Sequence, residues 1–320
     1  TSITNYQDNK KFYFEDSDGS PFRQGEFFSD QDAQTFGQEI RLNGSTDRTN
    51  WVAGAYYLDL SGDYLSAFFF PDFVAFANIT ALPGSNFKQD TKSWALFGQV
   101  DYELTDALSV TAGVRYTEDK KDFDITGFCD SGPNPATGVA LPVITGFGPG
   151  FDGLDGCTAF GVSGGLLSAN GSPTITDAGR VVTDRKDTDV TAKLQLDWRV
   201  NDDTLVYAGF NRGMKAGGYG VSSDALVFVE DLEYGKEVLH AYEMGIKTTL
   251  FDNKVRFNAA AFYYDYRDYQ AFVFAGLSNI VINRDAEVYG GEIEIMGQPA
   301  EGVDLIFGVS FLDATVKDIP

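Results

Sequence analysis

Few residues in this 320-residue chain could carry out chemistry, and their spacing narrows the choice further. A nucleophile or an activated water needs a positioned base, most often a histidine. The one histidine, His240, follows a connection and has no recognisable nucleophile motif beside it, so it reads as an ordinary loop-end residue. That histidine and two cysteines, Cys129 and Cys157, make no ligand cluster at zinc spacing. DSDG at 16–19 and DGLDG at 152–156 resemble calcium loops only faintly; both lack the full ligand spacing and read as turns. Gly213, Gly217, Gly218 and Gly220, near Arg212 and Lys215, could cradle a phosphate. P-loop spacing is missing, however, and a flexible loop base is the better reading. No enzyme activity, cofactor or metal site is expected.

What remains is recognition. Phe68, Phe69, Phe70, Phe73 and Phe76 crowd the stretch SAFFFPDFVAF, and five such rings are costly to leave in water. Either they pack against other loops or dip into a lumen, or some of them line a mouth as an apolar platform for a ligand. Phe69, Phe70 and Phe73, together with Arg212, Lys215 and Tyr219, are the candidate ligand contacts.

The elements that must hold these contacts are strands. In HAYEMGIKTTL (240–250), every second residue (Tyr242, Met244, Ile246, Thr248, Leu250) falls on one face, with Glu243 and Lys247 on the other. Glu243 and Lys247 are also spaced as a helical pair, but the FDNK turn that follows, and the second alternating run VRFNAAAFYYDYRDYQ, make this a hairpin. The clearest alternation is TDVTAKLQLDWRV: Val190, Ala192, Leu194, Leu196, Trp198 and Val200 oppose Asp189, Thr191, Lys193, Gln195, Asp197 and Arg199. In WVAGAYYLDL both faces are largely apolar, and parity assigns no orientation. These runs exceed the roughly 5 to 6 residues of a soluble strand and match the roughly 9 to 11 tilted residues that cross a bilayer.

Composition agrees. With 43% apolar residues there is no run of eighteen apolar residues for a membrane helix, and the mean hydropathy of −0.18 suits strands that face lipid on one side and water on the other. A net charge of −23 leaves no Lys/Arg excess for a general nucleic-acid surface. Long connections, read at 9–34, 61–92, 120–186 and 216–239, alternate without exception with short turns around Thr105, Asp202 and Asn253. An up-and-down barrel of the bacterial outer membrane has this asymmetry, with short periplasmic turns and long extracellular loops. Tyr102 and Trp198 near the short turns, and Trp94, Tyr116 and Tyr263 near the long connections, suit two interfacial girdles. The inward charges Arg115, Lys193, Arg199, Glu243, Lys247, Arg256, Glu292 and Glu294 are expected to pair with neighbouring strands or a plug rather than mark a pathway. The expected fold is all-β: an antiparallel up-and-down transmembrane β-barrel, here an incomplete section of about eleven strands occupying residues 1–320.

LVYAGFNRGMKAGGY, AYEMGIKTTLFDNKVRFNAAAFYYDYRDYQ and NRDAEVYGGEIEI closely resemble consecutive barrel strands of TonB-dependent outer-membrane receptors. The resemblance implies a section of a barrel of about 22 strands, with a plug domain and a TonB-contacting N-terminal region outside this stretch. It further implies energy-coupled uptake of a scarce bulky ligand such as a ferric siderophore, with outer-membrane lipid and the TonB complex as partners. A passive outer-membrane channel and a soluble all-β binding module are the alternatives. Export to an oxidising compartment makes a disulfide between Cys129 and Cys157 the expected state of the two loop cysteines.

Overall fold

Alternation in the sequence becomes a ladder in the backbone. The computed structural model describes residues 1–17, 19, 21, 25–73, 79–130, 180–221, 232–275 and 278–318, apart from the side chains of 68–73, 79–83, 128–130, 274–275 and 278–279. In chain order the strands are β1 (Ser2–Asp16), β2 (Glu26–Ser45), β3 (Thr49–Phe73), β4 (Ile79–Thr105), β5 (Leu108–Asp130), β6 (Arg180–Asn201) and β7 (Thr204–Lys215). After two short strands, β8 (Gly218–Tyr219) and β9 (Glu233–Tyr234), come β10 (Glu237–Leu250), β11 (Val255–Ala275), β12 (Ser278–Ala300) and β13 (Val303–Val316). Eleven of them form one antiparallel up-and-down sheet in the order β1-β2-β3-β4-β5-β6-β7-β10-β11-β12-β13, while β8 and β9 pair with each other. Among the described residues the sheet is open: β1 and β13 each have a strand partner on one side only.

The alternation expected on β6 is borne out. Val190, Leu194, Leu196, Trp198 and Val200 are exposed on one face, while Thr191, Lys193, Gln195 and Asp197 are half-buried on the other. Residues 190–200, at about 3.3 Å each and a tilt near 40°, cover roughly 25 Å, the height of a lipid-facing band. Both girdles are present. Trp94 and Tyr116 meet with ring centroids 5.3 Å apart at one edge of the band, and Tyr102 and Trp198 lie exposed near the other. Register also settles β3, because Tyr57 lies opposite Trp94 and Trp51 opposite Val100, so both point to lipid and Val52 and Tyr56 point inward.

Each short turn has its own chemistry. Thr105 Oγ1 accepts hydrogen bonds from the N–H groups of Ala107 and Leu108, and Asn201 Oδ1 accepts one from Asp203. In FDNK, Phe251, Asp252 and Asn253 all take left-handed φ values of 56°, 54° and 64°, which Asp and Asn tolerate best.

The opposite rim departs from expectation. Residues 9–34 and 61–92, read as long connections, are strand for much of their length, and 120–186 begins and ends in strand: β1 reaches Asp16 and β2 starts at Glu26, β3 reaches Phe73 and β4 starts at Ile79, and β5 runs on to Asp130 while β6 starts at Arg180. The last connection on this rim, between β11 and β12, is only residues 276–277, so the alternation of long and short connections does not hold throughout. The period of two persists beyond the band, but the outer face changes from apolar to charged. Lys10 pairs with Asp32 at 2.7 Å, Lys120 with Asp122 at 2.9 Å, and Lys186 with Glu118 at 2.9 Å on that face. The long excursions on this side are thus partly tall strands standing in water.

Candidate ligand-binding mouth

Above the band, β7 and β10 are the short staves. β6 continues from Ala192, opposite Arg212, up to Arg180, whereas β7 runs only from Arg212 to Lys215. Between these staves, residues 216–221 and 232–236 lie over the inner face of β5 and β6 as a strap carrying the β8–β9 pair.

An aromatic row lines the inner wall there. Tyr64 on β3 stacks on Phe87 on β4 with centroids 4.8 Å apart, Phe87 meets Phe123 on β5 at 5.8 Å, and Phe123 stacks on Tyr219 of the strap at 4.4 Å. Phe123, Ile125, Tyr219 and Leu232 form a buried apolar cluster, with Val181 and Val221 packed against it. Phe123 and Ile125 simply continue the inward parity of Thr117 on β5, so counting by twos past the band would have found them.

Polar staples hold the strap in place. Arg185 on β6 makes two bonds of 2.8 Å to Asp187 and donates to the Tyr234 carbonyl at 2.6 Å and to Glu233 at 2.9 Å. Asp187 in turn accepts the Gly217 N–H at 3.1 Å. Burial opposes the charge on Asp187, but its bonds to Arg185 and Gly217 outweigh that and hold the carboxyl below its ordinary range. From the other side, Gln270 on β11 donates to the carbonyls of Ala216 at 2.9 Å and Gly235 at 3.1 Å, and Asn283 on β12 accepts the Gly235 N–H at 2.6 Å. A β-bulge brings these groups round: Arg267 and Asp268 together oppose Asp285, with Asp268 at φ 53°.

Several sequence-derived candidates change character here. A Cβ at Gly217 would lie 2.3 Å from Arg185 and 2.4 Å from the Tyr234 carbonyl oxygen, so close packing requires this glycine; it is not the flexible loop base expected. Tyr219 is buried in the strap's core. Arg212 binds Asp189, which Lys236 also reaches at 2.7 Å, and Lys215 lies opposite Glu237 where β7 ends. The backbone of Phe69, Phe70 and Phe73 belongs to β3, with Phe69 opposite Glu26 and Phe73 opposite Ile79, but their side chains lie outside the described residues. Cys157 and the Cys129 side chain lie outside them too, and with them the expected disulfide. His240, expected at a loop end, lies within β10 and stacks on Phe210 with ring centroids 6.2 Å apart. Arg185, Asp187, Gln270 and Asn283 had no local sequence signal.

Lower on the inner face, a groove of about 580 Å³ is lined by Tyr207, Glu243, Lys247, Asn258, Glu292 and Glu294. Tyr207 donates to Glu243 at 2.7 Å and Asn258 to Glu294 at 3.0 Å, the cross-strand pairing expected of inward polar groups in a wet lumen.

An apolar band with two girdles outside and a polar wall inside defines a section of an outer-membrane β-barrel. Residues 1–319 match the family described as TonB dependent receptor-like, beta-barrel, and the chain belongs to that family. The fold is similar to that of the ferric yersiniabactin uptake receptor FyuA from Yersinia pestis, with TM-score 0.64 and 19% identity over 98% of this chain and 39% of that one. It is also similar to the copper transporter OprC, with TM-score 0.62 and 13% identity over 98% and 43%. The siderophore receptor PiuA from Acinetobacter baumannii gives TM-score 0.60 and 13% identity, again over 98% and 43%. The chain therefore spans about two fifths of the length of these structures. It is a bacterial outer-membrane protein of a family of receptors and transporters.

Proposed function

We propose that the complete protein takes up a scarce, bulky ligand across the outer membrane, with a ferric siderophore as the class that suits the mouth best. Uptake draws energy from the inner-membrane TonB complex, reached through an N-terminal region. The observation that carries this reading is the aromatic row of the mouth, in which the half-buried rings of Tyr64 and Phe87 are backed by the buried rings of Phe123 and Tyr219 and held by a stapled strap. Rigid aromatic surface suits recognition of a large ligand. The ferric yersiniabactin uptake named for FyuA and the siderophore receptor role named for PiuA are in keeping with this assignment.

Iron-starved cells with and without the gene, given radiolabelled ferric siderophores with and without a protonophore, test the reading. Gene-dependent uptake abolished by the protonophore is expected. Uptake that survives de-energisation identifies a passive channel instead.

A further inference from the structure

On a chain of net charge −23, one patch of the inner wall is cationic. Arg115 and Lys121 on β5 share that face with Arg185 and Lys193 on β6, across a ladder in which Arg115 lies opposite Thr191 and Lys193 opposite Gly113. The carboxylates among them are accounted for. Asp187 is taken by Arg185, Asp189 by Arg212 and Lys236, and Asp119 lies beside Lys121. Among the described residues, no carboxylate comes within ion-pair distance of Arg115 or Lys193.

Arg115 is also held in one pose. Its guanidinium carbon lies 5.5 Å from the Tyr56 ring centroid and 5.4 Å from that of Phe97, and its Nε donates to Thr117 Oγ1 at 3.1 Å. Phe97 reaches this position because Gly54 faces it. A Cβ there would fall 2.5 Å from the Phe97 ring and 2.6 Å from the Ile40 carbonyl oxygen. Aromatic rings take up the faces of a guanidinium and leave its terminal N–H groups free at the edge, the geometry that receives a carboxylate in a bidentate manner. Lys193 stands on the diagonal, roughly 7–8 Å away by backbone spacing, with no side chain at Gly113 to cover it. Arg115 precedes Tyr116 of the girdle, so the pair sits at the depth where the lumen opens into the mouth.

We propose that Arg115 and Lys193 form an oxyanion-binding step on the inner wall, built for a carboxylate of an anionic ligand passing inward from the aromatic row. Two half-buried like charges on one patch repel each other, and an anion between them removes that repulsion while filling the free edge of Arg115. The passage of the ligand rests on the uptake reading above; the binding step does not.

Calorimetric titration of the purified full-length receptor in detergent with citrate, a tricarboxylate, tests the site at equilibrium and needs no transport. The wild type is expected to bind citrate, more weakly as salt rises. The Arg115→Gln/Lys193→Gln double variant should bind it about tenfold more weakly or worse, as loss of charge-assisted hydrogen bonds requires, with Arg115→Lys intermediate. Gly54→Ala, which leaves both charges in place but disturbs Phe97, should weaken binding less than the double variant. Heat-modifiable gel migration verifies that each variant is folded. No citrate binding by the wild type, or equal binding by a folded double variant, overturns the proposal and leaves the uptake reading untouched. Citrate binding in a receptor whose cells show no energy-dependent uptake overturns the uptake reading instead.

Discussion

The same sheet is stabilised in two ways along its height. Between its girdles, β6 presents Leu194 and Leu196 to hydrocarbon, and the lipid supplies the apolar environment that a soluble protein must build from its own core. Ten residues further up, the outer face carries Lys186 and Asp184, and the chain makes a small core of its own behind them from Phe123, Ile125, Tyr219 and Leu232. Where the solvent is oil, alternate side chains suffice. Where it is water, the strands need a folded-in strap and buried polar bonds to gain comparable order.

The sharpest way to break this contrast is Arg185→Ala. It strips Asp187 and the Tyr234 carbonyl of their partner in a half-closed site, and loss of one member of a buried pair costs about 3–5 kcal/mol. Hydrogen exchange should show the amides of 216–221 and 232–236 losing protection while the band stays intact. Equal loss throughout the sheet would mean that the two regions are not separate. Next in size is Leu194→Arg, expected to cost about 2–4 kcal/mol at mid-band, against little for Gln195→Arg on the wet face. Refolding of the complete protein into bilayers measures both, and equal costs would reverse the facing of β6.

Acid should separate the regions more gently. The folded-state pKa of Asp187 lies below its ordinary value, so its contribution is complete above about pH 4 and is lost as pH falls through the lower folded value. Pepsin at about pH 2 should therefore cut within the strap, though not between the girdles; a strap as resistant there as at pH 4 would remove Asp187 from its support. The smallest effect belongs to Lys10→Ala, whose ion pair with Asp32 is fully in water. No change in thermal denaturation is expected, and a measurable drop would show that the outer charged rows stabilise the tall strands.

The band was legible because a period of two with one apolar face has a single physical reading, as β6 shows. On β3 both faces carry aromatics and aliphatics, so parity was silent until register placed Tyr57 beside Trp94. The tall strands were missed for a different reason. Once the outer face meets water, an alternating strand such as DRKDTD has the composition of a loop, and the ladder that orders it lies on neighbouring chain segments. The mouth was the least legible part. Its staples join Arg185 to Tyr234 and Gln270 to Ala216, partners with no local spacing to betray them.

The low staves β7 and β10 have a consequence for the order of assembly. The strap is anchored on one side to β6 and on the other to β11 and β12, so it is held on both sides only once the β6–β7 hairpin and the β11–β12 hairpin stand in one wall. Closing those separations costs chain entropy that only the finished wall repays. Docking of 216–221 and 232–236 is therefore expected to come last, and in pulse-labelled refolding the amides of Gly217 and Gly235 should gain protection after those of β5 and β6. The strap then works as a completion mark, in place only in molecules whose wall has already formed on both sides of it.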